Sequence, residues 1–404
     1  LSTIIPIGPY HPLLEEPELF RLHVEGERIV GIDARLGYNH RGIERLAQDK
    51  TYDQVLFLVE RVCGICSTSH PIAFCNAVES LAGIQIPERA AYIRTIVAEL
   101  ERLHSHMLWL GLAGHYIGYH TLWMWAWRYR EPVLNLFELI SGNRQSYAMM
   151  KIGGVRQDIA DDAVPAIRKT VDELEPKLEM LLGAAMDDPV IAARLKGIGT
   201  ISREDAVRYC LVGPTARSVG IDIDIRCDAP YAAYGWLDFN VITRPEGDVL
   251  AVTVVRILEM LESAKIIRQC LQRMPKGPIA VEVPEIPPGE GIGVEEAPRG
   301  ECFHYVRSDG GNMPVRVKIR APSFVNVPSF KARTVGATIS DAVIILASVD
   351  PCYSCTERMI ALDQATGHGP LDSTDLVALS QEKTARIMRE LGRSEEDFLR
   401  RAGI

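Results

Sequence analysis

Apolar and polar positions alternate over the first 35 residues, as in Phe20-Arg21-Leu22-His23-Val24, and the alternation resumes after Gly26 with Arg28-Ile29-Val30. A period of two predicts short strands around a glycine turn, the start of a small antiparallel sheet. From Pro87 the period changes. Ile93, Ile96, Val97, Leu100, Leu103 and Met107 recur three and four apart behind a proline suited to a first helical turn, which predicts a long helix with one buried face. Two further helices are predicted. One runs from Val164 to Leu182 with a kink at Pro176, and one from Val249 to Met274, where Asp248 stands as cap and Val252, Val255, Leu258 and Leu261 share a stripe. A proline- and glycine-rich stretch from Pro275 to Pro298 reads as an extended boundary. Beyond it lies a mixed portion, and a charged helical pattern returns from Asp375 to Leu391.

These periods predict an α+β fold: a large helical-bundle core, a small N-terminal antiparallel sheet and a mixed C-terminal portion. The corresponding regions are 1–60, 61–274 with a first cysteine motif, 275–358 with a second, and an extension over 359–404. The stretch from Met107 to Trp127 is long enough to span a bilayer and carries no Asp, Glu, Lys or Arg. His115 and His120 near its middle and Arg128 just after it make a span costly, so it is expected to be buried helix.

With 404 residues, 47% hydrophobic and 24% charged, the composition is that of a soluble globular protein large enough to enclose a site. The net charge of −9 has the wrong sign for a phosphate-binding surface, and nucleic acid is not an expected partner. Leu1 to Leu14 has neither a basic nor an apolar leader region, so the chain is expected to stay inside the cell. There thiols are kept reduced, and nine cysteines argue for metal or redox use before disulfides.

Two of the cysteine pairs share one spacing: Arg61-Val62-Cys63-Gly64-Ile65-Cys66 and Asp350-Pro351-Cys352-Tyr353-Ser354-Cys355. Two residues between cysteines let both thiolates face one metal, and four thiolates suit zinc, iron–sulfur, nickel or copper(I). Zinc ribbons keep their pairs close because the metal nucleates a local fold; the 285 residues between Cys66 and Cys352 place these pairs together only inside a core the protein has already built. A catalytic site fits that arrangement best. A structural four-cysteine zinc site, two unrelated buried pairs, or a local site from Cys63, Cys66, His70 and Cys75 are the alternatives.

Taken with Gly8-Pro9-Tyr10-His11-Pro12, Glu25-Gly26-Glu27, His40-Arg41-Gly42-Ile43-Glu44, Ser69-His70-Pro71 and Ala297-Pro298-Arg299-Gly300, the two motifs resemble the large subunit of nickel–iron hydrogenases. The likeness is to the energy-converting, membrane-bound branch, from about residue 5 to 358. The same landmarks are partly shared with the homologous 49 kDa quinone-site subunit of respiratory complex I, the alternative reading. That subunit lacks the full cysteine set, and here all four positions are cysteine.

The resemblance implies that Cys63 and Cys352 are terminal ligands to nickel, and that Cys66 and Cys355 bridge nickel to an iron carrying CO and cyanide. It assigns proton relay to Glu25, with Glu27 as fallback; from the residues alone, both flank a glycine in a hairpin and read as solvated. Pro298 and Arg299 would line the pocket of the diatomic ligands, and Asp350 would accept a bond from that arginine. His106 would approach the outer shell of the centre. Periodicity alone makes it an ordinary hydrogen-bonded core histidine. Where periplasmic relatives place a histidine to hold a magnesium, the chain has Arg358, so magnesium, with Glu44 as its other side-chain ligand, is not expected.

The activity implied is reversible oxidation of H2 to protons. Cysteines 75, 210, 227, 270 and 302 have no iron–sulfur spacing. The implied partners are therefore a small subunit with a [4Fe–4S] cluster and further ferredoxin-like and membrane subunits, on the inner face of the cell membrane. Family members with an extension after the motif are often cleaved there on maturation; cleavage after Arg358 would remove Met359 to Ile404, and retention of the extension is the alternative.

Overall fold

The computed structural model describes residues 3–357, 373–392 and 394. Residues 1–357 form one compact unit and 358–404 a second. In the first, strands β1 (Thr3–Ile7), β2 (Leu19–Glu25) and β3 (Arg28–Arg35) make an antiparallel sheet in that order. The predicted alternation sets its inner face: Phe20, Leu22 and Val24 are buried, with Arg21 and Glu25 outward. That face packs on Phe330, Leu346 and Tyr353, and the Phe20 ring lies 5.9 Å from that of Tyr353. The N-terminal sheet thus supports the second cysteine motif from below.

The helical body comprises α1 (Tyr52–Glu60), α2 (Ser69–Ala82), α3 (Glu88–Tyr116), α4 (His120–Ser141), α5 (Val164–Asp187) and α6 (Val249–Arg273). The start of α1 is fixed by a capping box between Thr51 and Gln54. At α6, Asp248 accepts from Ala251 N at 2.7 Å, as its position predicts. Helix α5 passes through Pro176 and continues five residues beyond the predicted end, to Asp187.

The sequence predicts one buried face for α3, but the helix is buried on nearly all sides, including Arg94, Glu99, Glu101 and Arg102. Charges are tolerated there because each meets a partner from a distant element. No described helix is long and apolar enough to cross a membrane.

Between Pro275 and Pro298 the extended boundary gives way to regular structure. Strand β4 (Gly289–Ala297) pairs with β5 (Gly300–Ser308) through a two-residue turn, Pro298-Arg299, and β5 pairs with β6 (Arg316–Arg320). The glycines of β4 have a packing reason. A Cβ on Gly293 would lie 2.0 Å from the Ala73 carbonyl oxygen, and one on Gly291 2.1 Å from that of Ala77, so α2 lies directly on the strand only because those positions carry no side chain. Helix α7 (Ile339–Ser348) then leads into the second cysteine motif.

The second unit contains one described helix, α8 (Ser373–Glu390), whose described side chains are almost all exposed. The point after Arg358 where cleavage would fall lies outside the described residues.

Candidate metal centre

The loop between α1 and α2 carries Cys63 and Cys66, and the loop after α7 carries Cys352 and Cys355; all four are buried. The sulfurs of Cys63, Cys66 and Cys355 lie within 4.8 Å of one another, and Cys66 Sγ is 3.9 Å from Cys355 Sγ. Cys352 belongs to the same cluster, its thiol within hydrogen-bonding reach of those of Cys355, Cys63 and Cys66. The two pairs therefore converge from opposite ends of the chain.

Each loop is held by the surrounding body. Arg41 clamps both loops, donating to the carbonyls of Arg61 at 2.7 Å, Val62 at 2.8 Å and Ser354 at 3.3 Å. His104 donates from Nε2 to the Ile65 carbonyl at 3.0 Å while its Nδ1 accepts from Arg130 at 3.1 Å; burial, then the Arg130 charge, holds its pKa down to about 3, so the ring is neutral. The Glu101 carboxylate accepts from Thr68 N at 2.5 Å and from Ser69 N and Oγ at 3.1 and 2.5 Å, satisfying donors at the start of α2. On the second motif, Glu16 accepts from Ser354 N and Oγ at 2.9 and 2.6 Å, and Ser323 Oγ accepts from Cys352 N at 3.0 Å.

Arg299, at the tip of the β4–β5 hairpin, is buried beside the sulfurs. It donates to the Asp350 carbonyl at 2.7 Å, to Asp350 Oδ1 at 2.9 Å and to Ser105 Oγ at 3.4 Å. Asp350 has a left-handed backbone, φ 55°, and its other oxygen accepts from Arg256 at 3.2 Å. Behind it a buried ionic chain continues: Arg256 to His106 Nδ1 at 3.4 Å, His106 Nε2 to Glu259 at 2.9 Å, Glu259 to Arg217 at 2.8 Å, and Arg217 to Glu296 at 2.8 Å. His106 belongs to this chain, behind Asp350.

Electrostatics fit a metal. Hydrogen bonds from Cys352, Cys355 and Cys66, with the Arg299 charge, hold the Cys63 thiol well below its ordinary range, while burial and the neighbouring thiols push Cys355 well above it. Like charges this close oppose one another, so ionising four thiols in this volume calls for a bound cation. A soft all-sulfur set in a dry core, with a counter-charged arginine at its edge, suits nickel and iron.

Of the residues expected at the site, the structure brings together Cys63, Cys66, Cys352, Cys355, Arg299, Asp350 and, buried in the hairpin turn, Pro298. It does not bring Glu25 there. Glu25 and Glu27 are exposed at the β2–β3 turn, where Glu25 pairs with Arg28 in the strand register. The acidic residue in electrostatic reach of Cys63 from the N-terminal segment is Glu15, open to solvent on one side and lining a cleft with Tyr116, Pro351 and Tyr353. The protein packed around it, then the negative charge of Asp350, raises its pKa above the usual carboxylate range. Glu44 accepts from Ile319 N at 3.0 Å and Lys318 Nζ at 3.2 Å.

His70, singled out in the sequence with Ser69 and Pro71, lies with Nε2 3.5 Å from Cys355 Sγ, and its Nδ1 lies 3.0 Å from His304 Nε2 and 3.5 Å from Cys302 Sγ; His304 and Cys302 have no sequence signal beyond their types. Cys75 and Cys270 are buried apart from it, and Cys210 and Cys227 are exposed.

Comparison with known proteins adds family evidence to this geometry. Residues 116–286 and 279–358 match the model of the respiratory-chain NADH dehydrogenase 49 kDa subunit, and residues 41–112 that of nickel-dependent hydrogenases. The chain is 43% identical to the carbon monoxide-induced hydrogenase of Rhodospirillum rubrum, over 88% of this chain and 99% of that one. It is 41% identical to the membrane-bound hydrogenase subunit alpha of Pyrococcus furiosus, over 95% and 93%. Among solved structures, it resembles a chain of the membrane-bound sulfane sulfur reductase, an archaeal respiratory membrane complex, with TM-score 0.85, 33% identity, and coverage of 88% and 98%.

Proposed function

The chain belongs to the family that unites nickel-dependent hydrogenase large subunits with the 49 kDa subunit of respiratory-chain NADH dehydrogenase, and we propose that Cys63, Cys66, Cys352 and Cys355 hold its nickel–iron pair. The protein is a hydrogenase catalytic subunit, an oxidoreductase acting on H2. The observation that carries this reading is the convergence of four buried thiols from two remote loops on one arginine. The same convergence weighs against the quinone-site reading, which has no use for four sulfurs.

Bound there, a nickel–iron pair with CO and cyanide on iron supplies the Lewis acidity that splits dihydrogen and takes up its electrons. Cys63 and Cys352 would hold that pair as terminal thiolates, and Cys66 and Cys355 would be shared between its two metals. A proton held on a terminal sulfur passes to Glu15, which feels the Cys63 charge and is open to solvent on its other side; this role replaces Glu25 in the relay. Arg299 and Pro298 close the pocket, and Asp350, fixed by Arg299 and Arg256, keeps the guanidinium turned to the sulfurs. Among the described residues no second four-sulfur cluster exists, so electrons leave through a partner, a small subunit with a [4Fe–4S] cluster. The likeness to a membrane-bound hydrogenase subunit and to a chain of a respiratory membrane complex supports a seat in a larger membrane complex, and we read its side as the inner face of the membrane.

An infrared spectrum of the purified complex tests this. Bands from metal-bound CO and cyanide that shift under hydrogen are expected; their absence together with stoichiometric zinc would make the cluster a structural site.

A further inference from the structure

The pair His70 and His304 lies outside the proposed relay, and its geometry restricts where its protons sit. Helix α2 rests on the glycine face of β4, with Gly293 opposite His304 and Glu295 opposite Cys302 in the sheet register. Cys302 and His304, two apart on β5, both turn inward and meet His70 in the first turn of α2. The three are at most 1% exposed. His70 Nδ1 lies 3.0 Å from His304 Nε2, and its other nitrogen lies 3.5 Å from Cys355 Sγ.

We propose that His304 is a positioning residue for the metal centre: its Nε2–H donates to Nδ1 of His70, fixing His70 as the tautomer whose Nε2–H points at the Cys355 sulfur. This rests on the reading of Cys355 as a ligand to the metal pair. One proton lies between the two rings, and it has two placements. With the proton on His70 Nδ1, a neutral His70 turns a bare lone pair on an anionic sulfur, and the proton of His304 moves to Nδ1, which has no hydrogen-bond partner in the core. An orphaned buried N–H is costly. With the proton on His304 Nε2, every N–H of the pair has an acceptor, and the chain of donors ends on the thiolate as a charge-assisted bond. Burial, then His70, holds His304 neutral, and burial keeps the Cys302 thiol protonated, so at 3.5 Å it too offers His70 Nδ1 a donor and not a second acceptor. Such bonds behind a ligand tune the electron density it gives its metal.

Two measurements test this. In the full chain without metal, labelled with 15N at histidine, two-bond proton–nitrogen spectra report each tautomer; His70 is expected with its proton on Nε2, and His304→Phe should lose that preference. In the loaded complex, His304→Phe should shift the CO and cyanide bands, and His304→Gln, which keeps an N–H donor, should return them toward the wild-type positions. A wild-type His70 protonated at Nδ1, bands unmoved in His304→Phe, or stoichiometric zinc that disappears with His304 would each overturn the proposal, the last making the trio a metal clasp. The wild-type tautomer decides the question even if the variants do not fold. Absent infrared bands in the wild-type complex would defeat the metal reading alone, leaving the tautomer measurement to judge the hydrogen-bond order.

Discussion

Arg299 grips Asp350 through two different groups, with Nε on the main-chain carbonyl at 2.7 Å and Nη2 on the carboxylate at 2.9 Å. The first bond fixes the left-handed backbone of Asp350 two residues before Cys352, and the second neutralises a charge that also serves Arg256. The same contact therefore shapes the second cysteine loop and balances the charge around it.

Removing the shared carboxylate leaves two guanidiniums buried without their common partner. Asp350→Ala is expected to lower stability by about 3 to 5 kcal/mol, the range for breaking a buried pair from one side. Arg299→Lys keeps the charge but loses the fork and is expected to lose less, with weaker retention of metal. Urea midpoints of the two variants check this; a loss under about 1 kcal/mol for Asp350→Ala would show that the pair carries little of the fold.

Glu15 and Glu25 separate the relay proposed here from the one the sequence suggests. Glu15→Gln is expected to slow hydrogen/deuterium exchange with solvent by about 100-fold, the usual scale for losing a proton-transfer group, with metal content unchanged. Glu25→Gln, at an exposed turn, is expected to exchange as wild type. If the two variants change places, the relay runs along the hairpin instead.

Close contact of α2 with β4 predicts a steric penalty. Gly293→Ala sets a methyl 2.0 Å from the Ala73 carbonyl oxygen and 2.3 Å from Ala77 N. Helix α2 must lift, taking His70 with it, and a loss of about 2 to 3 kcal/mol is expected from forced overpacking. Gly183→Ala in α5, where an added Cβ meets nothing within 4 Å, serves as control and is expected to gain up to about 1 kcal/mol from helix propensity. Equal effects at the two sites would remove the packing account of the glycine stripe.

Much of this site was legible in the chain because cysteine spacing and strand or helix period are local signals. Cys63, Cys66, Cys352 and Cys355 declared a shared site through their spacing, and Phe20, Leu22 and Val24 declared the buried face of β2. Glu15 gave no such signal: it lies in an irregular loop, and only the convergence of that loop with Pro351 and Tyr353 sets it near Cys63. The charged residues of α3 were equally silent, since Arg226 reaches Glu99 at 3.1 Å and Arg102 donates to the Glu296 carbonyl at 2.5 Å across wide separations in sequence. His304 showed only that it alternates with Cys302 on a strand. Its meeting with His70, 234 residues away, is a property of packing.

The buried ionic chain also predicts how the fold responds to acid. His106 donates from Nε2 to Glu259 and accepts at Nδ1 from Arg256, so it is neutral in the fold. Burial is the main cause that lowers its pKa from 6.5 to about 3. Below pH 6.5 the unfolded chain binds a proton that the native ring refuses. Stability contributed by the neutral ring is therefore complete above that pH and falls by about 1.4 kcal/mol per pH unit below it, until about pH 3. Asp224, held down to about 2 by Arg226 and Arg217 against the opposing effect of burial, adds a second loss that begins below its unfolded pKa near 4 and runs in the same direction. Denaturant unfolding at pH 7, 6 and 5 should give a slope for wild type that exceeds that of His106→Gln by one proton. Gln keeps a donor for Glu259 but cannot titrate, so parallel slopes would mean that His106 is already protonated in the native core.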